Sequence, residues 1–401
     1  MNSSLIRVLI KNKSFMIGVC IKYFHENYGG MLQAYATITM LEKRNIKYEL
    51  IRYEKHYSFW GKIKQIPRLF NGILLNDKKE ALLKKIGMRK HPEFSKKDMI
   101  RMKAFDRFKK EKFINLSPVF IGYDNLCSGA KRYAAVITGS DQLWSPAGLP
   151  TNFYNLMFVP DNIRKISIAS SFGVKYIPWY QISRTRNYLN RIEFISMREN
   201  RGSEIVKELT GRDVPTILDP VFFFNKEQWA EMIPTRTVYE EPYIFAYFLG
   251  NTPSYREAVK NVARRLNCKI VTLRHLDQYV ECDENFGDYA PYDVDPALFL
   301  NILRGASYIC TDSFHGSVFS IIHQKKFVIF NRYDEQSKHS KNSRIDTLCF
   351  NLGLTDRRFL SAESFYEQLN SDIDYKSVMR LLDKYKRESE QYLDTAFNNI
   401  N

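Results

Sequence analysis

The residues best suited to chemistry lie together in the sequence Thr-Asp-Ser-Phe-His-Gly, which runs from Thr311 to Gly316. The stretch follows an apolar run and precedes an amphipathic one, so it lies where a buried strand meets a helix. Open α/β sheets bind ligands at such strand ends, and a histidine titrates near neutral pH. We therefore predict that His315 transfers protons and that Asp312 orients its imidazole. The alternative is that Asp312 or Ser313 only caps the helix and His315 is a core residue.

Three positively charged residues near other predicted strand ends or helix starts could bind an anionic substrate. Arg198 follows the apolar run "EFISM" and adjoins a helix start, where an arginine can bind phosphate or carboxylate. Lys341 and Arg344 precede a later helix and could bind the same anion. The alternatives are an exposed Arg198–Glu199 pair, which contributes little stability, and ordinary surface charges at the other two positions.

Polar and aromatic residues that follow two earlier predicted strands could bind a sugar. Paired glycines that open a helix can point backbone N–H groups at an anion or a sugar, although a plain tight turn would explain them equally. A carboxylate, an amide and an indole together match the hydroxyls and the C–H face of a sugar, unless the tryptophan belongs to the core. The predicted sugar-binding residues are Asn27, Gly29, Gly30, Asp141, Gln142 and Trp144. Asp219, in the sequence Leu-Asp-Pro, looks like a turn cap.

The elements that must position these residues alternate between strands and helices in two blocks. Predicted strands include 15–21, 133–138, 165–170 and 193–198 in the first block, and 243–249 and 268–273 in the second. Such alternation predicts two parallel α/β sheets. We predict a first domain over residues 1–235, a second over 236–370 and a C-terminal helix over 371–401, with the two domains facing a shared cleft.

Composition excludes several classes of protein. The 401 residues are too many for one ordinary core, and no apolar run is long enough to span a bilayer. The start of the chain is charged too early for a secretory signal, and the six scattered cysteines read as reduced residues of a cytoplasmic protein. The sequence contains no zinc-binding, P-loop or dinucleotide-binding motif, so we expect no metal and no cofactor.

The net charge of +16 is concentrated in residues 60–115, which contain 17 Lys/Arg and 6 Asp/Glu. Apolar residues spaced through this segment predict a basic helical insertion in the first domain. Such a stretch suits an anionic membrane surface, and the simpler reading is a solvated helical face. Basic charge without a recognition motif gives no reason to expect nucleic acid.

Taken in order, several motifs resemble the polysaccharide pyruvyl transferase family. They span roughly residues 15–355: "GVCIKYFHENYGGMLQAYA", "ITGSDQLWSP", "ASSFG", "SMREN", "LDPVF", "TDSFHGSVFSIIHQKKFVIF" and "SRIDTLCFNLGL". The resemblance implies two Rossmann-like domains in a glycosyltransferase-B-like arrangement. It also implies transfer of a pyruvyl group from phosphoenolpyruvate to a sugar of a surface polysaccharide, often lipid-linked, which forms a cyclic ketal.

The family commonly has Asp-Arg-(Leu/Phe)-His-Gly where this chain has Asp-Ser-Phe-His-Gly. By similarity, Arg198 and His315 match family residues. Ser313 stands where an arginine is expected to help hold the donor, and we place it with Arg198, Lys341 and Arg344 among the predicted donor-binding residues. Lys341 or Arg344 would then supply the charge. Two alternatives remain open: a metal-independent glycosyltransferase that uses a nucleotide sugar, and a non-catalytic protein of polysaccharide biosynthesis. In each case we expect a cytoplasmic protein, with the inner face of the membrane as its place of peripheral contact.

Overall fold

The computed structural model describes residues 16–56, 72–146, 152–275, 278–332, 343–398 and 400. The statements below concern these residues. The start of the chain, residues 1–15, and the first part of the basic segment, residues 60–71, lie outside them, as does Lys341.

The first sheet has five parallel strands in the order β3-β2-β1-β4-β5. Their bounds are β1 Met16–Cys20, β2 Lys47–Glu54, β3 Leu116–Ile121, β4 Ala135–Gly139 and β5 Arg164–Ile168. Strand β1 is central, and its Val19 is in register with Leu50 on one side and Ile137 on the other. Strand β4 is buried along its whole length, as expected for a parallel strand covered on both faces.

Among the described residues, seven helices belong to the part of the chain that carries this sheet. They are α1 Tyr28–Lys43, α2 Gly72–Lys90, α3 Pro92–Lys112, α4 Tyr123–Ala130, α5 Ile182–Arg191, α6 Asn200–Thr210 and α7 Lys226–Met232. Helices α2 and α3 form the described part of the predicted basic insertion.

The second sheet has four parallel strands in the order β7-β6-β8-β9. The strands are β6 Tyr243–Tyr247, β7 Lys269–Thr272, β8 Tyr308–Thr311 and β9 Lys326–Ile329. The helices that follow α7 are α8 Pro253–Leu266, α9 Pro296–Gly305, α10 Phe314–Ile322, α11 Ser343–Leu352, α12 Phe365–Asn370 and α13 Tyr375–Phe397. The prediction of two parallel α/β sheets is confirmed, whereas the predicted domain boundaries stay predictions.

Two local predictions differ from the structure. Residues 193–198 are not a full strand, because they meet β5 and its extension only through isolated bridges at Phe194 and Met197. Strand β3 was not predicted. It contains Pro118, which lacks a backbone donor and is tolerated there because β3 is the edge of the sheet.

The two sheets are held together by side chains of α1, α3 and α13. Tyr28, at the start of α1, is fully buried and stacks on Phe299 of α9 with ring centroids 4.8 Å apart. Arg101 of α3 is buried and donates to the carbonyls of Arg274 and His275 beyond β7, at 2.8 and 3.0 Å. The inner face of the basic insertion is thus packed against the second sheet's loops.

Helix α13 returns from the second sheet to the first. The Tyr392 hydroxyl donates to the Ser167 carbonyl of β5 at 2.6 Å, and the Ser389 hydroxyl accepts from the Leu218 N–H at 3.0 Å. Because α13 follows the second sheet in the chain, these contacts tie the end of the chain to the first domain. Within the described ranges, no helix is long and apolar enough to cross a membrane.

Candidate functional site

The two halves pack tightly against each other at the starts of α1 and α10. Gly29, in the first turn of α1, packs so tightly on His315 that a Cβ added to the glycine would lie 2.3 Å from the His315 Cβ. Asn27 caps α1, since its Oδ1 accepts from the Gly30 N–H at 2.8 Å. The glycine pair therefore serves close helix packing at Gly29, and the Gly30 N–H is already bonded within the cap.

His315 lies beside a buried carboxylate that belongs to the other half of the molecule. Its Nε2 is 3.6 Å from Oδ2 of Asp219, and its side chain is 8 % exposed. Among the described residues, Nε2 has no hydrogen-bond partner. The imidazole and the Asp219 carboxylate thus face each other across the boundary between the two halves.

Asp219 is the centre of the cluster. Its Oδ2 accepts from Arg198 Nη1 at 2.8 Å and from the Ser140 hydroxyl at 3.0 Å, and its Oδ1 accepts from the Val221 N–H at 3.2 Å. Burial by itself would raise the pKa of Asp219, but His315 and Arg198 outweigh it and lower the pKa to about 2. The carboxylate is therefore ionised at neutral pH.

Arg198 joins this carboxylate to a second one. Its Nη2 is 3.4 Å from Oδ1 of Asp141, and its guanidinium lies 4.7 Å from the centre of the Phe314 ring. Burial alone would raise the pKa of Asp141, but nearby cations, first Lys22 and then Arg198, hold it well below its usual value. Arg198 is buried rather than part of an exposed pair, and its neighbour Glu199 accepts from the Ser171 hydroxyl instead.

A second arginine reaches the same aromatic ring from α11. The Arg344 guanidinium lies 5.5 Å from the centre of the Phe314 ring, so Phe314 contacts both guanidinium groups. Arg198, Asp219, Phe314 and Arg344 together line a narrow crevice between the two halves. The structure thus brings Arg198 and Arg344 together, as an anion site requires, while Lys341 lies outside the described residues.

The roles predicted for Asp312 and Ser313 need correction. The Asp312 carboxylate accepts from the N–H groups of Leu249 and Gly250, both at 2.7 Å, and so fixes the loop after β6. The Ser313 hydroxyl accepts from the Gly316 N–H and caps α10. Both side chains are committed to backbone groups, and Asp219 rather than Asp312 stands beside the imidazole.

Trp144 also needs correction as a sugar-binding residue. It is fully buried, its indole N–H donates to the Tyr154 carbonyl at 3.0 Å, and its ring packs on Tyr188. A side chain without exposed surface has no face to offer a sugar. Asp141 and Gln142 remain partly exposed in the same loop, and the Gln142 amide lies against Gly173.

Sequence reasoning missed the importance of Asp219, Ser140 and Lys22. The signal for Asp219 was present, because Leu-Asp-Pro follows the segment that carries Arg198 and lies at the same edge of the sheet. Ser140 and Lys22 also lie just after β4 and β1, but only the folded structure shows Ser140 beside Asp219 and Lys22 near Asp141. In the ranges that the structure covers, no group of three or more His, Cys, Asp or Glu side chains is placed to hold a metal ion, and all six cysteines are free thiols.

Comparison with known proteins gives a family and a fold. The sequence model of a family described as "Polysaccharide pyruvyl transferase" matches residues 27–334. No curated protein sequence is similar enough to the chain to count as a relative.

Among solved structures, a UDP-N-acetylglucosamine 2-epimerase is similar over 96% of this chain and 95% of its own, with 12% identity and a TM-score of 0.52. The glycosyltransferase SnogD from Streptomyces nogalater is similar over 96% of this chain and 100% of its own, with 9% identity and a TM-score of 0.47. MurG from Acinetobacter baumannii covers 96% of this chain and 99% of its own, with 8% identity and a TM-score of 0.44. The epimerase likeness, together with the two parallel sheets, confirms the predicted glycosyltransferase-B-like fold.

The glycine pair provides a matched test of the contact at His315. We expect Gly29→Ala to lower the free energy of unfolding by about 2 kcal/mol, because the new methyl group must displace His315 from its place beside Asp219. Gly30→Ala is the control, since the nearest atoms to its Cβ would be those of the Asn27 side chain, at 3.5 Å and beyond, which is ordinary contact. Urea unfolding of both variants measures the difference, and equal losses would contradict the packing described here.

The low pKa of Asp219 predicts a pH-dependent contribution to stability. Its pKa falls from 3.8 to about 2 on folding, so its contribution is complete above about pH 4 and is lost as the pH falls towards 2. We expect Asp219→Asn to cost about 3 kcal/mol at pH 7, and the difference from wild type to shrink below pH 4.

Urea unfolding between pH 3 and 7 tests this expectation. Asp213→Asn is the control, because Asp213 forms an exposed pair with Lys207 and its loss should change little. A cost for Asp219→Asn that stays constant down to pH 3 would refute the assignment of an ionised, stabilising carboxylate.

Proposed function

The chain belongs to the polysaccharide pyruvyl transferase family, and on that basis we propose that it transfers a pyruvyl group from phosphoenolpyruvate to a saccharide as a cyclic ketal. The observation that carries the proposal is the cluster in which Arg198 and Arg344 contact one Phe314 ring beside His315 and Asp219. It combines fixed positive charge with a group that can exchange a proton.

Phosphoenolpyruvate carries a phosphate and a carboxylate, so its binding requires more than one cation. We propose that Arg198 and Arg344 bind the phosphate and the carboxylate in the crevice, and that Lys341 also binds the donor substrate. Guanidinium groups bind such anions through paired, charge-assisted hydrogen bonds. Arg344 then supplies the charge that the family's arginine would contribute at the position of Ser313, whose hydroxyl is used as a helix cap.

Formation of the ketal requires one proton to be added and two to be removed. The methylene carbon of phosphoenolpyruvate gains a proton and becomes a methyl group, while a sugar hydroxyl attacks the adjacent carbon and loses its proton. A second hydroxyl then displaces phosphate, and its proton leaves with the phosphate or the solvent. We propose that His315 delivers the first proton and accepts a hydroxyl proton, and that ionised Asp219 stabilises the imidazolium between these steps.

On the acceptor side we propose a saccharide of a surface polysaccharide, carried on a lipid, with Asp141 and Gln142 near its hydroxyls. Both residues lie in the loop after β4, and Asp141 is linked to the donor cluster through Arg198 at 3.4 Å. A cytoplasmic protein that works on a lipid-linked saccharide would act at the inner face of the membrane.

The proposed donor can be tested by ligand-induced stabilisation. We expect phosphoenolpyruvate to raise the melting temperature of the wild-type protein and UDP-N-acetylglucosamine to leave it unchanged, since a ligand that binds only the native state stabilises it. We expect Arg344→Gln to lose this shift because it removes one of the two cations. Arg380→Gln, which removes an exposed charge of α13, should keep it.

His315→Gln separates binding from chemistry in the same experiment. The variant should keep the shift with phosphoenolpyruvate and lose phosphate release in the presence of saccharides by about 100-fold or more. Stabilisation by the nucleotide sugar alone would favour a glycosyltransferase, and stabilisation by neither ligand would favour a non-catalytic protein. Either result contradicts the proposed transfer.

We also propose that the outer face of α2 and α3 contacts an anionic membrane. This face exposes apolar side chains next to lysines and arginines, unlike the buried inner face of α3. The exposed apolar residues include Leu75, Leu82, Ile86, Met99, Ile100 and Met102, and the exposed cations on α2 include Lys79, Lys85, Arg89 and Lys90. Apolar contact combined with basic charge is the pattern of peripheral membrane helices.

Co-sedimentation with phosphatidylglycerol vesicles tests this surface. We expect Leu82→Glu combined with Ile86→Glu to weaken binding by roughly tenfold or more, because two apolar contacts are replaced by repelled charges. Leu360→Glu is the control, since Leu360 is 70% exposed and lies outside the insertion. If the wild-type protein does not sediment with the vesicles, or all variants sediment equally, the surface has another role.

A further inference from the structure

The loop after β5 exposes three aromatic side chains to solvent. Trp179 is 83% exposed, Tyr176 is 50% exposed and Tyr180 is 43% exposed. The rings of Trp179 and Tyr180 meet nearly at right angles, with centroids 5.7 Å apart and an interplanar angle of 88°. A group of large aromatic rings left in water contributes nothing to the core, so its presence calls for a ligand.

This loop is attached to the loop that carries Asp141. The Ser171 N–H donates to the Asp141 carbonyl at 3.1 Å, and the Gln181 amide donates to the Pro146 carbonyl at 3.0 Å. The two loops follow the neighbouring strands β4 and β5, so both lie at the carboxyl edge of the first sheet. The exposed rings are therefore fixed at the edge where open α/β sheets bind ligands.

The loop holds its rings outward because its other residues point inward. Ile177 is buried in the same apolar cluster as Trp144 and Phe172, and Gln181 is buried where it bonds to Pro146. Pro178, between Ile177 and Trp179, restricts the backbone at the turn. A ring on such an anchored segment loses little freedom when a ligand binds.

We infer that Trp179, flanked by Tyr176 and Tyr180, binds pyranose rings of the acceptor saccharide. A pyranose presents a face of C–H groups that packs flat on an indole, and its hydroxyls can bond to phenol groups at the side. In the right-angled pair, one ring can pack on the face of a sugar while the other ring contacts the edge of that sugar. This inference rests on the proposed function and gives the acceptor the aromatic surface that buried Trp144 lacks.

Iodide quenching of tryptophan fluorescence tests the inference directly. The signal of Trp179 is the difference between wild type and Trp179→Phe, because Trp144 and Trp229 are fully buried and Trp60 is common to both proteins. The probes are lactose, cellobiose, mannobiose and chitobiose, which present the common pyranoses. We expect at least one of them to lower the quenching of Trp179 by about twofold, as a stacked sugar shields the ring.

Binding of the same disaccharide, measured by calorimetry, should be about tenfold weaker for Trp179→Ala, the loss expected for one aromatic contact. Phe350→Ala is the matched control, since Phe350 is 75% exposed on α11, and it should bind as the wild type does. The inference is overturned if none of the four disaccharides protects Trp179, or if protection depends on protein concentration and not on sugar.

These experiments distinguish a failure of this inference from a failure of the proposed function. Saccharide protection of Trp179 without any shift from phosphoenolpyruvate would support the aromatic surface and refute pyruvyl transfer. A shift from phosphoenolpyruvate with unprotected Trp179 would refute the aromatic surface alone.

Discussion

The structure around the site depends on the burial of one carboxylate, that of Asp219. An ionised carboxylate without partners costs several kcal/mol to remove from water, so its burial requires compensating groups on every side. Ser140 comes from the end of β4, Arg198 from the segment beside β5, and His315 from the second half of the chain. The need to satisfy this one charge therefore specifies how three distant segments meet.

For these three segments to meet, the two halves of the chain must pack closely, and several contacts hold them together. Gly29 lets the start of α1 pack on His315, and the adjacent Tyr28 stacks on Phe299. Helix α3 reaches the second half through Arg101, while α13 returns to β5. Part of the basic insertion therefore also stabilises the fold, because its inner face is packed against the second half of the chain despite its high charge.

Two arginines from different parts of the chain share the Phe314 ring. Asp141 and Asp219 both pair with Arg198, whereas Arg344 reaches the ring from α11. In the proposed donor site, Arg344 of α11 supplies the cation that the family's pattern places at position 313, where Ser313 caps α10.

The sequence by itself determined the alternation of strands and helices, the family and most strand ends, because apolar periodicity and short motifs are local properties. It also determined that His315 and Arg198 lie at such ends and that Arg344 lies at a helix start. Only the tertiary structure decided their partners: Asp219 rather than Asp312 for the imidazole, core packing for Trp144, and a shared ring for the two arginines. Periodicity shows that a residue lies at a strand end, but the contacts there depend on strand order and on the distance between two sheets. Those are set by packing between residues up to hundreds of positions apart, which no local pattern encodes.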